Sequence, residues 1–334
     1  MASNTIYQIT YDRLDAYGLF SEETIKTVAL YAEKQAAYKD YQDYFQKIGI
    51  PKPKLFIAKN KAGVPVVDIA PRKTEGTIVL HLPMANPLDE NQLFHIATVV
   101  GTNPTYRVIA FGNPSGKPYK FKEQNLTFWQ KFKVAFTKNQ RPLVAAEIEY
   151  LHTNKILNAH HVGYSYGAHK ALIEVYYLNP GDVSSITLLD PVAHARGFKQ
   201  LIHDFRNTFQ PMGDYVNHTR IPSYFQAREA AAKTKHHESA LKRPINISIG
   251  ILLRRLDFVK MLEKDISQHP AISAVVAWGS ASELGNDAHM KVSMHRLKYD
   301  AKKKVKAMRL KEGRHAFAND IHLQAAIIVE SLLQ

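Results

Sequence analysis

Short apolar runs alternate with helical stretches along most of this 334-residue chain. The apolar runs lie at residues 55–58, 64–70, 77–82, 106–111, 156–162, 185–189, 272–278 and 304–310, and the helical stretches at 124–152, 166–178, 287–298 and 319–333. Because two adjacent parallel strands need a crossover, usually a helix, this alternation predicts an α/β fold with a mainly parallel sheet covered by helices on both faces. Such sheets bind ligands at the carboxyl ends of their strands.

Two segments interrupt this alternation. Residues 1–50 are predicted to be helical, because apolar residues recur at helical spacing up to Gly49. Residues 196–270 are helix-like, basic and rich in aromatic side chains. We interpret them as a helical cap inserted into a core domain formed by residues 51–195 and 271–334.

The composition excludes several classes of protein. With 45% hydrophobic and 22% charged residues, the chain is typical of one that buries a core, which excludes disordered, collagen-like and coiled-coil proteins. The absence of cysteine excludes disulfides, thiolate metal sites and a cysteine nucleophile. Because no long apolar run and no secretory-signal pattern is present, a cytoplasmic protein is expected.

The charge is strongly positive. Lys and Arg number 44 against 30 Asp and Glu, a formal net charge of +14, which would attract polyanions, anionic lipid surfaces or acidic substrates. The excess is concentrated in residues 196–264, within the predicted cap. No nucleic-acid-binding motif accompanies the charge, so nucleic acid is a disfavoured partner, whereas peripheral contact with an anionic membrane stays open.

The strongest signal for chemistry is the sequence Gly163-Tyr164-Ser165-Tyr166-Gly167, which follows an apolar run and precedes a helical stretch. A serine on a tight strand-to-helix turn needs small residues two positions away on each side, because the strained backbone brings strand and helix close together. A helix that begins just after the serine also directs N–H groups towards an oxyanion. The pattern predicts that Ser165 is a nucleophile.

A serine hydroxyl becomes a good nucleophile only when a histidine removes its proton and a carboxylate orients that histidine. Among the 16 histidines, His315 is favoured, because it lies between the last predicted strand and the last predicted helix. A loop at this edge of the sheet can bring it to Ser165. Four other histidines are expected to be structural: His160, His161, His169 and His322.

At this point the chain resembles the α/β-hydrolase superfamily, over about residues 53–334. Residues 77–81 look like the third strand of that fold running into the oxyanion loop, and residues 111–116 look like the turn after the fourth. Ser165 matches the nucleophile, and Gly313-Arg314-His315 resembles the loop of the catalytic histidine. The resemblance implies a nucleophile, acid and histidine in that order along the chain.

The acid stays open between two carboxylates. Asp190 ends a predicted strand and resembles the acid of the pancreatic-lipase branch of the superfamily. In most members the acid follows the next strand, three residues after a glycine that here resembles Gly279. That position holds Ser282, and Glu283 is one residue late, so Asp190 is favoured over Glu283.

The predicted oxyanion loop also departs from the superfamily pattern, which often has glycine after His81. This chain reads Leu82-Pro83-Met84-Ala85-Asn86, and Pro83 has no N–H to donate. The amides of Tyr166 and Met84 are the expected oxyanion donors. Leu82 and the side chain of Asn86 are the alternatives.

These residues predict a serine hydrolase that cleaves a small-molecule carboxylic ester, or less favourably an amide, through an acyl-enzyme. An acyltransferase would use the same intermediate, and the irregular acid and oxyanion loop keep a catalytically silent binding protein open. A basic nucleic-acid or membrane-surface binder is the least favoured reading. No cofactor or metal is expected, because the triad needs neither and the histidines show no recognisable ligand spacing.

Overall fold

The computed structural model describes residues 7–9, 20–36, 46–59, 63–83, 88, 90–112, 126–137, 139–192, 251–253, 256–311, 313–315, 317 and 321–334. The strands within these residues are β1 (Tyr7–Ile9), β2 (Lys54–Ile57), β3 (Gly63–Ile69), β4 (Gly76–His81), β5 (Tyr106–Phe111), β6 (Ala159–Tyr164), β7 (Val183–Leu189), β8 (Ser273–Gly279) and β9 (Val305–Leu310). The helices are α1 (Glu22–Ala36), α2 (Glu90–Thr102), α3 (Phe128–Phe136), α4 (Ala145–Thr153), α5 (Tyr166–Tyr177), α6 (Phe258–Gln268), α7 (Asp287–Arg296), α8 (Tyr299–Lys302) and α9 (Ile321–Leu332).

The described strands form one nine-stranded sheet in the order β1-β9-β8-β7-β6-β4-β5-β3-β2. Strands β4 to β9 and β1 pair in parallel, whereas β2 pairs antiparallel with β3, and β3 antiparallel with β5. The mainly parallel sheet predicted from the alternation is confirmed. Counted from β2, strands β4 and β5 are the third and fourth, as the superfamily resemblance implies.

Side chains of the central strands alternate between two apolar layers, one on each face of the sheet. In β4, Val79 belongs to the layer that contains helices α5 and α6, while Ile78 and Leu80 belong to the layer that contains α9. This alternation follows from the two-residue period of a strand. Because both faces are covered, the strand is buried almost throughout, which explains its continuous apolar sequence.

The described part of residues 1–50 is not entirely helical as predicted. Helix α1 is present, but Tyr7–Ile9 forms β1, which pairs with the edge strand β9. A three-residue strand is too short to show a two-residue period, so sequence reasoning missed it. Tertiary pairing with an exposed edge, rather than local propensity, determines its conformation.

One predicted helix is divided. The stretch 124–152 contains α3 and α4, separated by a 3₁₀ turn at Arg141–Leu143 that has proline near its start. Proline suits the first turn of a helix but not its interior, so a new helix begins there. The predicted stretch 287–298 forms the single helix α7, and the separate short helix α8 begins after it.

Most of the predicted cap, residues 196–270, lies outside the described residues. Helix α6 is the described helix of this segment with the longest span, and its buried Leu262 and Ile266 belong to the same apolar layer as α5. His269, just after α6, donates a hydrogen bond from its ring to the carbonyl of Val175 in α5, at 3.0 Å. This end of the segment therefore packs on the core. Among the described residues, every helix is too short or too polar to cross a lipid bilayer.

Candidate active site

Ser165 occupies the turn between β6 and α5. Its backbone has φ 58° and ψ −121°, a conformation that costs free energy in any residue other than glycine. The turn is held by the Ser165 N–H, which donates to the carbonyl of Leu189 at 2.8 Å. The surrounding structure thus holds Ser165 in a strained conformation that serine would not adopt by its own preference.

The two glycines of the turn are required by close backbone approach. A Cβ atom on Gly163 would lie 2.4 Å from the carbonyl oxygen of Gly167, and one on Gly167 would lie 2.0 Å from the carbonyl oxygen of His81. Both distances are well below van der Waals contact with backbone atoms that cannot move freely. The small residues two positions from Ser165 are needed because β6, α5 and the end of β4 meet there.

His315 reaches this turn from the loop between β9 and α9. Its Nε2 lies 2.7 Å from Ser165 Oγ, although the two residues are 150 positions apart in the chain. Both side chains are largely buried. The structure therefore brings the predicted nucleophile and the predicted base within direct proton-transfer distance.

Asp190 directly follows β7 and contacts the other nitrogen of the same ring. Its Oδ2 lies 2.5 Å from His315 Nδ1, and its Oδ1 accepts a hydrogen bond from the N–H of Gly279 at 2.9 Å. Asp190 is fully buried and has a positive φ of 42°. The carboxylate is held where it can orient the imidazole with Nε2 towards Ser165.

The loop after β8 supports this carboxylate instead of supplying one to the ring. Ser282 donates its hydroxyl proton to Asp190 Oδ2 at 2.5 Å and accepts a hydrogen bond from the N–H of Gly285 at 2.7 Å. Glu283 accepts a hydrogen bond from the backbone N–H of His315 at 3.3 Å. Of the two acid candidates, Asp190 contacts the imidazole and Glu283 contacts the backbone of the same histidine.

Tyr164 is a site residue that sequence reasoning did not single out. Its ring stacks on the His315 ring, with centroids 5.6 Å apart and an interplanar angle of 29°. Its hydroxyl donates to the His315 carbonyl at 2.8 Å. A signal was present, because Tyr164 lies inside the serine motif at the position before the nucleophile, but nothing in one sequence shows where that side chain goes.

Of the two predicted oxyanion donors, Tyr166 lies within the described residues. Tyr166 is the first residue of α5, so its N–H belongs to the helix N-terminus and lies beside Ser165. Its hydroxyl is buried, and burial followed by the charge of Glu147 raises the pKa of this phenol. Leu82 and Pro83 follow β4 directly, whereas the predicted donor Met84 and the alternative Asn86 lie outside the described residues.

The other histidines named from the sequence have partners elsewhere. His160 Nδ1 lies 2.7 Å from Ser185 Oγ, and His169 Nε2 lies 2.8 Å from the carbonyl oxygen of Val192, to which it donates. Burial lowers the pKa of each of these two imidazoles to about 4, so both are neutral at pH 7. His161 lies in the interior beside His81 and Glu174, a group whose ligand atoms lie within 4.8 Å of one another. His322 lies on α9.

No family model matches the sequence, and no curated protein matches it either. The fold, by contrast, is similar to many solved structures. An esterase from Exiguobacterium antarcticum has a TM-score of 0.56 at 14% identity, covering 84% of this chain and 99% of its own. An enol-lactonase from Burkholderia xenovorans LB400 has a TM-score of 0.55 at 11% identity, covering 84% and 100%. A serine hydrolase from Cycloclasticus zankles has a TM-score of 0.57 at 11% identity, covering 84% and 97%.

These similarities, together with the strand order, establish that the chain has the α/β-hydrolase fold. At such low identity the comparison shows the fold of the chain and does not identify a substrate. What the site does must be argued from its own residues.

Proposed function

We propose that this protein is a serine hydrolase that cleaves a carboxylic ester through an acyl-enzyme intermediate. The observation that carries the proposal is the continuous chain of hydrogen bonds from Ser165 Oγ through both nitrogens of His315 to Asp190. A serine, an imidazole and a buried carboxylate in this arrangement make an alkoxide-like nucleophile at neutral pH. The similar structures named as an esterase and an enol-lactonase suit the ester class.

The reaction would follow from the roles of these three side chains. Ser165 Oγ attacks the carbonyl carbon while His315 Nε2 takes the hydroxyl proton, and the same proton then passes to the leaving alcohol. Water next attacks the acyl-enzyme, its proton goes to His315, and Ser165 leaves with that proton as the acid is released. Asp190 orients the ring and stabilises its positive charge throughout.

The tetrahedral intermediates carry a negative oxygen that needs N–H donors. The amide of Tyr166, at the positive end of the α5 dipole, is one proposed donor. The amide of Met84 is the second, with Leu82 as the alternative on the same loop. Pro83 has no N–H, so the loop can offer only its neighbours.

Labelling with a fluorophosphonate probe tests the nucleophile directly, because the probe phosphonylates only an activated serine. Wild type should gain one probe per chain by intact mass and should hydrolyse a short-chain p-nitrophenyl ester. Ser165→Ala and His315→Ala should lose both. Ser267→Ala removes an exposed hydroxyl on α6 that donates to the Glu263 carbonyl, and it should behave as wild type.

Two results would contradict the proposal. Labelling of Ser165→Ala at the wild-type level would move the nucleophile to another residue. Failure of folded wild type to label, with normal circular dichroism, would favour the silent binding protein. If labelling succeeds but an added alcohol takes the acyl group faster than water does, the protein is an acyltransferase that uses the same intermediate.

A further inference from the structure

A second polar cluster lies in the interior, formed by His81 at the end of β4, His161 in β6 and Glu174 in α5. All three side chains are 0% exposed. His81 Nε2 lies 3.1 Å from His161 Nδ1, and Glu174 Oε1 lies 3.6 Å from the first nitrogen and 3.5 Å from the second. Three potential ligand atoms thus form a nearly equilateral triangle inside the core.

Most polar atoms of this buried cluster lack a hydrogen-bond partner. Among the described residues, no group lies in hydrogen-bond geometry with either oxygen of Glu174, with His81 Nδ1 or with His161 Nε2, although the Glu147 carboxyl group lies near enough to interact with Glu174. The contacts from Glu174 to the two rings are at or beyond the upper limit of a hydrogen bond. Burying a carboxyl group without partners costs several kcal/mol in apolar surroundings, so the two oxygens of Glu174 call for a group that satisfies them. His81 Nδ1 and His161 Nε2 lie on the far sides of their rings and do not face this triangle.

The dimensions of the triangle select the group. Zinc–nitrogen and zinc–oxygen bonds of about 2.0–2.1 Å in a tetrahedral site place neighbouring ligand atoms about 3.3–3.4 Å apart. An octahedral site with similar bonds would place them about 2.9–3.0 Å apart. The measured edges of 3.1, 3.5 and 3.6 Å average close to the tetrahedral value.

We propose that His81 Nε2, His161 Nδ1 and Glu174 Oε1 bind a zinc ion. Two imidazoles and a carboxylate are an established zinc ligand set. The second oxygen of Glu174, also unpaired, would complete four-coordination without needing space for water. Because the cluster is sealed from solvent, the ion would be structural and would bind as the chain folds.

The remaining charges beside the cluster nearly balance. Lys170, fully buried one turn before Glu174 on α5, forms an ion pair with Glu147 Oε1 at 2.5 Å. Its ammonium is therefore neutralised by its own partner, and the zinc charge would face Glu174 and two neutral rings. The zinc would tie together β4, β6 and α5, and this connection does not depend on Ser165 being a nucleophile.

Metal content after refolding tests the proposal. The full chain would be unfolded in denaturant with EDTA, refolded with or without equimolar zinc, dialysed and analysed by plasma mass spectrometry. Wild type should retain about one zinc per chain, and Glu174→Gln should retain about tenfold less or lower. The control Glu149→Gln makes the same chemical change on α4, where Glu149 accepts a hydrogen bond from the Lys59 N–H, and it should retain zinc.

Two further measurements keep the result decisive if Glu174→Gln folds poorly. The denaturation midpoint of wild type should be higher after refolding with zinc than without it, and wild type refolded with Co²⁺ should show the intense visible absorption of a four-coordinate ion. Equal midpoints with and without zinc in folded wild type would overturn the proposal. So would weak, six-coordinate Co²⁺ absorption, or equal zinc retention by Glu174→Gln and Glu149→Gln.

Discussion

Strand β6 and helix α5 carry two polar sets that differ in one respect. At the end of β6, Ser165 joins His315 and Asp190, and each reacting atom has a protein partner. Inside the core, His161 on the same strand and Glu174 on the same helix leave several polar atoms unpaired. In the first set every reacting atom is satisfied by the protein, whereas in the second the proposed cation would satisfy the two oxygens of Glu174. Both sets contain a histidine and a carboxyl group, so residue type does not distinguish them. They differ in whether the protein itself supplies hydrogen-bond partners for their polar atoms.

The largest effect is expected when Asp190, the carboxylate of the Ser165 set, is replaced. Asp190→Asn should reduce kcat for ester hydrolysis by about ten-thousandfold, because an amide stabilises the wrong tautomer of His315 and does not stabilise its positive charge. Glu283→Gln is the matched control and should reduce kcat only a few-fold, since Glu283 contacts the His315 backbone. Initial rates at saturating ester measure both. Equal losses in the two variants would contradict the assignment of the acid.

The next largest effect is expected at Gly167, where the helix that follows Ser165 packs against the backbone of His81. Gly167→Ala would place a Cβ 2.0 Å from the carbonyl oxygen of His81, so α5 and β4 must separate. We expect a loss of about 3 kcal/mol or more in the free energy of unfolding, measured by urea denaturation. Gly181→Ala has a positive φ of 95° but open space for its Cβ, and it should lose only about 1 kcal/mol.

Acid should act on the buried cluster through folding stability. Because the pKa of His161 is about 3 in the folded protein and about 6.5 in an unfolded chain, the unfolded state binds the extra proton. This contribution is complete above about pH 6.5 and falls by about 1.4 kcal/mol per pH unit as the pH is lowered towards 3. Urea midpoints of wild type and His161→Gln, both refolded in EDTA without zinc and compared between pH 7 and 5, measure it. A parallel pH dependence in the two proteins would contradict burial as a neutral imidazole.

The smallest expected effect tests the hydrogen bond that Ser282 donates to Asp190, the proposed acid of the triad. Ser282→Ala removes the hydroxyl that donates to Asp190 Oδ2, so the carboxylate should hold His315 less firmly. We expect kcat to fall about tenfold with little change in KM, because a hydrogen bond to a charged group contributes about 1.5–3 kcal/mol. Ser282→Thr keeps a hydroxyl and should restore most of the rate. An unchanged kcat in Ser282→Ala would show that Gly279 suffices to orient Asp190.

The sheet and the serine turn follow from local patterns, which explains why they could be predicted. The apolar runs reflect strands buried on both faces, and the glycines around Ser165 reflect a close approach within a five-residue segment. The carboxylate that contacts the His315 ring is harder to predict from the sequence. Because β7 and β8 are parallel and end at the same edge of the sheet, Asp190 and Glu283 both lie near His315. Only the fold shows which carboxylate faces the ring.

The buried cluster could not be predicted from spacing. His81 and His161 are 80 positions apart, and Glu174 follows on a helix in a stretch that reads as ordinary amphipathic sequence. Neither histidine belongs to a recognised ligand motif, so the expectation that no metal is needed followed naturally from the sequence. Register between β4 and β6, which places Val79 opposite His161 and His81 opposite Gly163, is what brings the two rings together.

Strand β1 has a consequence for the order of events during synthesis. Tyr7 pairs with Met308, so β1 must wait for a partner that is made about three hundred residues later, and such distant pairings are slow to form. Until β9 has been made, β1 has no strand to pair with, and the edge of β8 that pairs with β9 offers its backbone groups to other chains. A ribosome-bound intermediate of this protein would therefore depend on chaperones most strongly in the interval between the synthesis of β8 and that of β9.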